Sequence, residues 1–344
     1  MKNILINRLC KFTRLFIPKH KAANQILIVS TTALGDTLWA TPAIENIRTS
    51  FPHASISVLT SPIGMEVFKH HPHINQLFLL QEPLARHFFS LWKTLYKERF
   101  DTILLFHASQ RLTLPLCALL GATRIIGTAG INKGLDTLLT HPLPNSRQHE
   151  IVRRLKIAEA IGAKTETETL SFYLKPQEHL PEGSKGPWIA IHPGSKDAFK
   201  RWPKESFIQL GKKLKEKMSC EILITGTNDE RALMEEIGSQ IPGAHVDSPG
   251  RSLRQFAALL TQMDLLISND TGPVHLACAL NRPVIGIYAS TDPFLCGPHK
   301  APQARVVMRR TSCDPCLKRK CRLPFCFLQI SPEEVVKAVC TILL

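Results

Sequence analysis

The feature that most restricts the fold of this chain is a rhythm. Short apolar runs recur with longer helix-like segments between them: QILIVS (25–30), SISVLT (55–60), INQLFLL (74–80), DTILLF (101–106) and TRIIGT (123–128). After an interruption the rhythm resumes with WIAIHP (188–193), EILITG (221–226), DLLISND (264–270) and PVIGIYAS (283–290). The runs are apolar throughout rather than alternating with polar residues, the pattern of parallel strands covered on both faces. Repeated strand–helix units of this kind build doubly wound sheets. The interruption, TETETLSFYLKPQEHLPEGSKGP (165–187), is rich in Pro, Gly and charge, as a domain junction is. The rhythm therefore predicts an α/β protein with two Rossmann-like doubly wound domains, at 25–180 and 187–330, preceded by a basic leader at 1–24 and closed by a helix at 331–344.

Composition agrees with two cores. The chain has 344 residues, 44% of them hydrophobic, and domains usually run about 100 to 200 residues. Its formal net charge of +15 predicts attraction to a polyanion, whether nucleic acid, anionic lipid or a phosphorylated substrate. The basic tracts lack interleaved aromatics and no familiar nucleic-acid module appears, so a nucleic-acid partner is not expected.

Much of the basic excess sits at one end. Lys2, Arg8, Lys11, Arg14, Lys19 and Lys21 occur with no acid among them, while Ile4, Leu5, Leu9, Phe12, Leu15 and Phe16 share roughly one side of a helical period. This is the pattern of an interfacial amphipathic helix; the plainer reading is a frayed leader that touches nothing. Arg8, Lys11 and Arg14 interrupt the apolar stretch a secretory signal needs. No other run reaches the ~18 apolar residues of a spanning helix. The expectation is a cytoplasmic protein resting on the inner leaflet of a membrane.

In doubly wound sheets ligands bind beyond the carboxyl ends of the strands, so the residues just after each apolar run matter most. Four such places stand out. In STTALGDTLWATPAI, Gly35 suits a tight turn and Asp36 stands where a helix N-cap is expected. In HPGSKDAFKRWPKESF, Gly194 and Ser195 offer donors, and Lys196, Lys200 and Arg201 add cations before a helix near Pro203, a combination suited to phosphate as well as to a solvated loop. In ITGTNDERALMEEI, Glu230 lies at the head of a helix, where a carboxylate serves the helix dipole or accepts from ribose hydroxyls. In ISNDTGPVHLACAL, Asp270 ends a strand and Thr271-Gly272-Pro273 opens a helix whose free amides face an anion site, with His275 one turn further on. Asp270 as a simple cap, and His275 as a satisfied core residue, are the alternatives.

Together, in this order and spacing, ALGDTLWATPAI, HPGSKDAFKRWP, ISNDTGPVHLACAL and PVIGIYASTDP resemble the bacterial heptosyltransferases of glycosyltransferase family 9, over about residues 25 to 300. The resemblance implies a GT-B fold with its two domains facing across a cleft, the first binding the acceptor and the second the nucleotide-sugar donor. It implies ADP-L-glycero-β-D-manno-heptose as donor and a lipid A/Kdo or heptosylated core of lipopolysaccharide as acceptor, with inversion and no metal required. By the same resemblance Asp36 would be the general base, Ser195 and Lys200 would hold phosphate, and Glu230 the ribose. Asp270, Thr271, Gly272 and His275 would hold the donor sugar and diphosphate. Other readings are a transferase or epimerase using another nucleotide-sugar, and a non-catalytic nucleotide- or polyanion-binding protein. HPLPNSRQHEIVRR is the stretch expected to vary with the acceptor; its Arg147, Arg153 and Arg154 could meet acceptor phosphates or carboxylates, but read first as a solvated face.

Ten cysteines without an export signal argue for reduced thiols. Cys10, Cys117, Cys220 and Cys278 stand among apolar neighbours and read as small core residues. Cys313, Cys316, Cys321 and Cys326 are clustered, and four thiols this close could hold a structural zinc, hold an iron–sulfur cluster, form disulfides if oxidised, or remain unligated.

Overall fold

The computed structural model describes residues 2–16, 25–178, 187–248, 250–310, 313, 316, 321 and 325–343. The chain divides into two compact units, Met1–Thr169 and Leu170–Leu344.

The first unit runs α1 (Lys2–Phe16), β1 (Gln25–Ser30), α2 (Leu34–Leu38), α3 (Thr41–Ser50), β2 (Ser55–Thr60), α4 (Pro62–Phe68) and β3 (Gln76–Leu79). It continues with α5 (Leu84–Lys97), β4 (Thr102–His107), α6 (Thr113–Ala118), β5 (Arg124–Thr128), β6 (His141–Leu143) and α7 (Glu150–Glu159). Its six strands pair in parallel in the order β3-β2-β1-β4-β5-β6. β1 is therefore central, with its chain neighbour β2 on one side and β4 on the other. Strand order reverses there, and the turns that follow β1 and β4 diverge to leave a crevice at their carboxyl ends. Isoleucine, leucine and valine fill β1 and β4, buried on both faces as the uninterrupted apolar runs require.

The second unit repeats the plan. β7 (Trp188–His192), α8 (Lys204–Lys217), β8 (Glu221–Ile224), α9 (Arg231–Gln240), β9 (His245–Val246), α10 (Leu253–Leu260), β10 (Leu265–Asn269), α11 (Gly272–Ala279), β11 (Val284–Tyr288), α12 (Pro293–Cys296) and β12 (Ala304–Met308) are followed by α13 (Phe325–Leu328) and α14 (Pro332–Leu343). Sheet order is β12-β11-β10-β7-β8-β9, so β7 is central and the switch lies between β7 and β10. Residues after Thr169 already belong here: Arg254 of α10 donates to both carboxylate oxygens of Glu178 and stacks over Phe172 at 5.1 Å. The terminal helix α14 lays Val335, Val336 and Val339 into the same core as α8.

Three strands escape the sequence rhythm, β6, β9 and β12, and all three are on or beside a sheet edge. An edge strand is covered on fewer sides, so it need not carry a continuous apolar run, although the fourth edge strand, β3, does; β12 leaves Val306 37% and Met308 37% exposed. Cys10, Cys117, Cys220 and Cys278 are buried. Burial pushes the Cys117 and Cys278 thiols up to about 12, which makes them inert packing groups. The leader forms α1, which packs on the first unit through Ile6 and Cys10, while Ile4, Leu9, Phe12 and Leu15 of the apolar set face outward and the side chains of Leu5 and Phe16 lie outside the described residues. Lys19 and Lys21 lie outside the described residues.

Candidate active site

In the first unit the crevice beyond β1 and β4 is built around Asp36 and Arg154. Residues Thr31 to Ala33 make the turn after β1: Thr31 donates its N–H to the His107 carbonyl at 3.2 Å, and its Oγ1 accepts from Ser109 N at 2.9 Å. The N-cap of α2 is Ala33, so Asp36 is not the capping residue expected. It stands in the first helical turn, where a carboxylate is favoured by the helix dipole, with its side chain 28% exposed. Gly35 is within the helix and has no left-handed φ, so the turn does not depend on it.

Arg154 is the larger correction. Expected on a solvated face with Arg147 and Arg153, its side chain is fully buried. It falls on the inward stripe of α7 with Ile151, Leu155 and Ala158, the i, i+3, i+4, i+7 positions of an amphipathic helix. Its Nη1 donates to the Glu150 carbonyl and to Glu150 Oε2, both at 2.8 Å. Its Nη2 lies 3.6 Å from Asp36 Oδ1, and its guanidinium covers the Trp39 ring at 5.4 Å. Nε and Nη2 are buried without a hydrogen-bond partner. Burial opposes ionisation of Glu150, but the guanidiniums of Arg154 and Arg153 outweigh it and hold the carboxyl below the usual range. His107, at the end of β4, is pushed below the usual histidine range by burial first, with Asp36 and Glu150 pulling the other way. The crevice thus holds two carboxylates, one buried guanidinium and a neutral imidazole, which suits proton acceptance by the exposed carboxylate.

In the second unit the motifs after β7, β8, β10 and β11 converge. Asp270 follows β10, and the N-cap of α11 is Thr271, so Asp270 does not cap the helix. Its Oδ2 accepts instead from Lys200 Nζ at 2.7 Å and from Thr291 Oγ1 after β11. Gly272 and Pro273 open α11; Pro273 has no N–H and Val274 N donates to the Thr271 carbonyl at 3.1 Å, which leaves the Gly272 amide as the first-turn donor with no partner inside the helix. The loop from Pro193 to Trp202 is held at both ends by Asn269: its Nδ2 donates to the Pro193 carbonyl at 2.7 Å and its Oδ1 accepts from Trp202 N at 2.9 Å. Ser195 is buried, and its carbonyl accepts from Arg201 Nε at 2.8 Å. That bond assigns the two neighbouring cations different tasks: Arg201 braces the loop while Lys200 reaches Asp270.

Glu230 heads the segment after β8. Its Oε2 accepts from Thr227 N at 2.9 Å, and its carboxylate lies over Gly194 so closely that a Cβ there would sit 2.0 Å from Oε1. Glycine is needed at 194 for that close approach, not for an unusual φ. Nearby His192 is pushed below the usual range by burial, against the attraction of Glu230. His275 is buried within α11. Burial, reinforced by the charge of Asp270, raises the Tyr288 phenol well above its usual range and keeps it protonated.

The structure therefore gathers Ser195, Lys200, Glu230, Asp270, Thr271 and Gly272 at one sheet end, while Asp36 belongs to the other unit. It adds Arg154, Glu150 and Asn269 as organising residues that sequence reasoning missed. For Asn269 the signal was present, an amide at a strand end inside a quoted motif. Cys313, Cys316, Cys321 and Cys326 are each partly exposed. Among the described residues no three or more His, Cys, Asp or Glu side chains gather closely enough to hold a metal ion.

Two Rossmann-like units of one strand order, each with charged residues at its switch point, are the units of the GT-B fold. The chain belongs to glycosyltransferase family 9 (heptosyltransferase), whose model matches residues 88–326. It is 26% identical over 277 residues to lipopolysaccharide heptosyltransferase 3 of Escherichia coli strain K12, covering 75% of this chain and 80% of that one. It is 25% identical over 326 residues to lipooligosaccharide heptosyltransferase 2 of Campylobacter jejuni, covering 91% and 96%. The solved structure of E. coli ADP-heptose lps heptosyltransferase II superposes with a TM-score of 0.76 at 18% identity, over 92% of this chain and 98% of that one.

Proposed function

We propose that this enzyme transfers heptose from ADP-L-glycero-β-D-manno-heptose to the inner core of lipopolysaccharide, with inversion at the anomeric carbon and with Asp36 as the general base. The observation that carries the reading is the part-exposed Asp36 carboxylate, 3.6 Å from a fully buried guanidinium at the carboxyl end of the first sheet. A hydroxyl attacking an oxocarbenium-like carbon needs such an acceptor for its proton, and positioned proton transfer contributes roughly 10²- to 10⁴-fold. Inversion needs one displacement, so no covalent enzyme intermediate is involved.

The departing ADP gains charge on its β-phosphate, which calls for donors fixed in advance. Lys200 spends one donor on Asp270. An ammonium has three, so two remain for phosphate. The Thr271 and Gly272 amides at the head of α11 and the Ser195 segment would add to them and meet the charge without a metal. Glu230 would accept from the ribose hydroxyls, and Asp270 and His275 would hold the donor sugar. The relatives, a lipopolysaccharide heptosyltransferase, a lipooligosaccharide heptosyltransferase and an ADP-heptose lps heptosyltransferase, support this choice of substrates. The acceptor is then a lipid A/Kdo or heptosylated core, and the enzyme works at the cytoplasmic face of the inner membrane. No helix among the described residues is long and apolar enough to cross a membrane.

Mass spectrometry of products made from ADP-heptose and defined core acceptors tests the reaction: a mass increase of one heptose is expected, and none with UDP-sugars. Asp36→Ala is expected to abolish transfer while leaving ADP-induced thermal stabilisation in place. Near-normal turnover in that variant would remove Asp36 from its role.

A further inference from the structure

Helices α1 and α5 cover the same face of the first sheet. Cys10 and Ile6 of α1, and Leu84, Trp92 and Leu95 of α5, enter one core, and α6 touches both helices. A helix buried on one side ordinarily turns polar residues to water on the other. Here α1 turns out Ile4 (58% exposed), Leu9 (60%), Phe12 (61%) and Leu15 (79%), and α5 turns out Phe89 (80%). Phe89 and Leu15 are the two most exposed large hydrophobic side chains among the described residues. Cations are interleaved with them: Arg8 and Lys11 on α1, and Arg86, Lys93 and Lys97 along α5, all exposed. Neither helix contains an acid.

From this pattern we infer that the outer sides of α1 and α5 form a docking surface for a bilayer bearing anionic headgroups. A protein partner would select a contiguous apolar patch with a polar rim. A duplex would select the cations and leave large aliphatic side chains without a role. Only a headgroup layer offers phosphates and acyl carbon at one depth, where Phe12, Leu15 and Phe89 can enter while Arg8, Lys11, Lys93 and Lys97 meet phosphates. Because Ile6 and Cys10 tie α1 to the sheet, docking holds the Asp36 unit at the surface where a lipid-borne acceptor stands. The inference rests on the proposed lipid acceptor for its purpose, but its physical test does not.

The test is co-sedimentation of the full chain with phosphatidylcholine vesicles, with and without phosphatidylglycerol. Wild type is expected to pellet with the anionic vesicles and to be released by salt. The pairs Phe12→Ser with Leu15→Ser, Arg8→Gln with Lys11→Gln, and Phe89→Ser with Lys93→Gln should each weaken binding roughly tenfold. These side chains are exposed, so thermal unfolding and the response to ADP should stay as in wild type. Wild-type protein that ignores both vesicles, or variants that bind as wild type does, would overturn the inference, as would self-association or duplex binding that accounts for the same residues. Transfer to a deacylated, water-soluble core acceptor separates the two readings. Variants that keep it while losing vesicles support the surface, whereas a wild type that lacks it yet binds vesicles sinks the acceptor and spares the surface.

Discussion

Arg154 Nη2 lies 3.6 Å from Asp36 Oδ1 while Nη1 of the same guanidinium donates to Glu150 Oε2 at 2.8 Å, so one fully buried cation serves two carboxylates. The distance to Asp36 is too long for a hydrogen bond and short enough for strong attraction inside a protein. Asp36 is thus held in direction without being tied up, and its exposed oxygen stays available for a proton.

Arg154→Met should lower kcat by roughly one to two orders of magnitude, because two carboxylates would lose their shared cation. It should also cost about 3 kcal/mol of stability, the usual range for breaking a buried pair. Arg154→Lys should recover part of both. The decisive measurement is a double-mutant cycle with Asp36→Asn: if Arg154 acts through Asp36, its removal adds little to the loss already caused by Asn at 36. Full additivity would mean that Arg154 acts elsewhere.

Gly194→Ala places a Cβ 2.0 Å from Glu230 Oε1. The Glu230 carboxylate must swing away and lose its bond from Thr227 N. ADP affinity, measured by calorimetry, should fall about tenfold, the worth of one charge-assisted hydrogen bond. Unchanged affinity would free Glu230 from the ribose role.

Lys200→Ala removes the ammonium beside Asp270, whose side chain is only 5% exposed. A buried carboxylate left with less compensation should lower stability by about 1 to 3 kcal/mol, and ADP binding should weaken with it. The double variant Lys200→Ala with Asp270→Asn should regain most of the stability and none of the affinity. Recovery of ADP binding in the double variant would show that Lys200 is structural only.

His71 supplies a pH dependence. Burial lowers its pKa from 6.5 to about 4, against the attraction of Glu45. Between those values the unfolded chain takes up a proton that the native state refuses, so stability falls as pH drops through this window and is level above it. The loss should reach about 2 kcal/mol near pH 5. Urea unfolding of wild type and His71→Gln at pH 7 and pH 5 checks this: the variant should be weaker at pH 7 but lose about 2 kcal/mol less on acidification. Parallel losses in the two proteins would assign the effect to other groups.

Much of the architecture was legible in the linear chain. The first two apolar runs coincide with β1 and β2 to the residue, and the central strands β4, β7, β10 and β11 fall within a residue or two of their runs. These strands are covered on both faces, and that burial is what writes an uninterrupted apolar run into sequence. Edge strands lack that requirement: β6, β9 and β12 left no such mark, though the fourth edge strand, β3, did. The strand-end motifs were legible for a related reason: a turn after a strand and the first turn of a helix are local structures with their own residue preferences. Local preference also misled, since Asp36 and Asp270 have the chemistry of caps and neither one caps.

What the amino-acid order determined by itself, then, was the rhythm of two doubly wound sheets and the segments that end up at their carboxyl edges. The tertiary structure alone decided the partners. Lys200 rather than Arg201 reaches Asp270, 70 residues on, and Asn269 closes the intervening loop against Trp202, 67 residues away. Arg154 turned from an apparent surface charge into the buried cation beside Asp36. Periodicity along one helix records which face is buried, but the pairing of charges across a fold depends on where distant elements come to rest, and no local pattern encodes that distance.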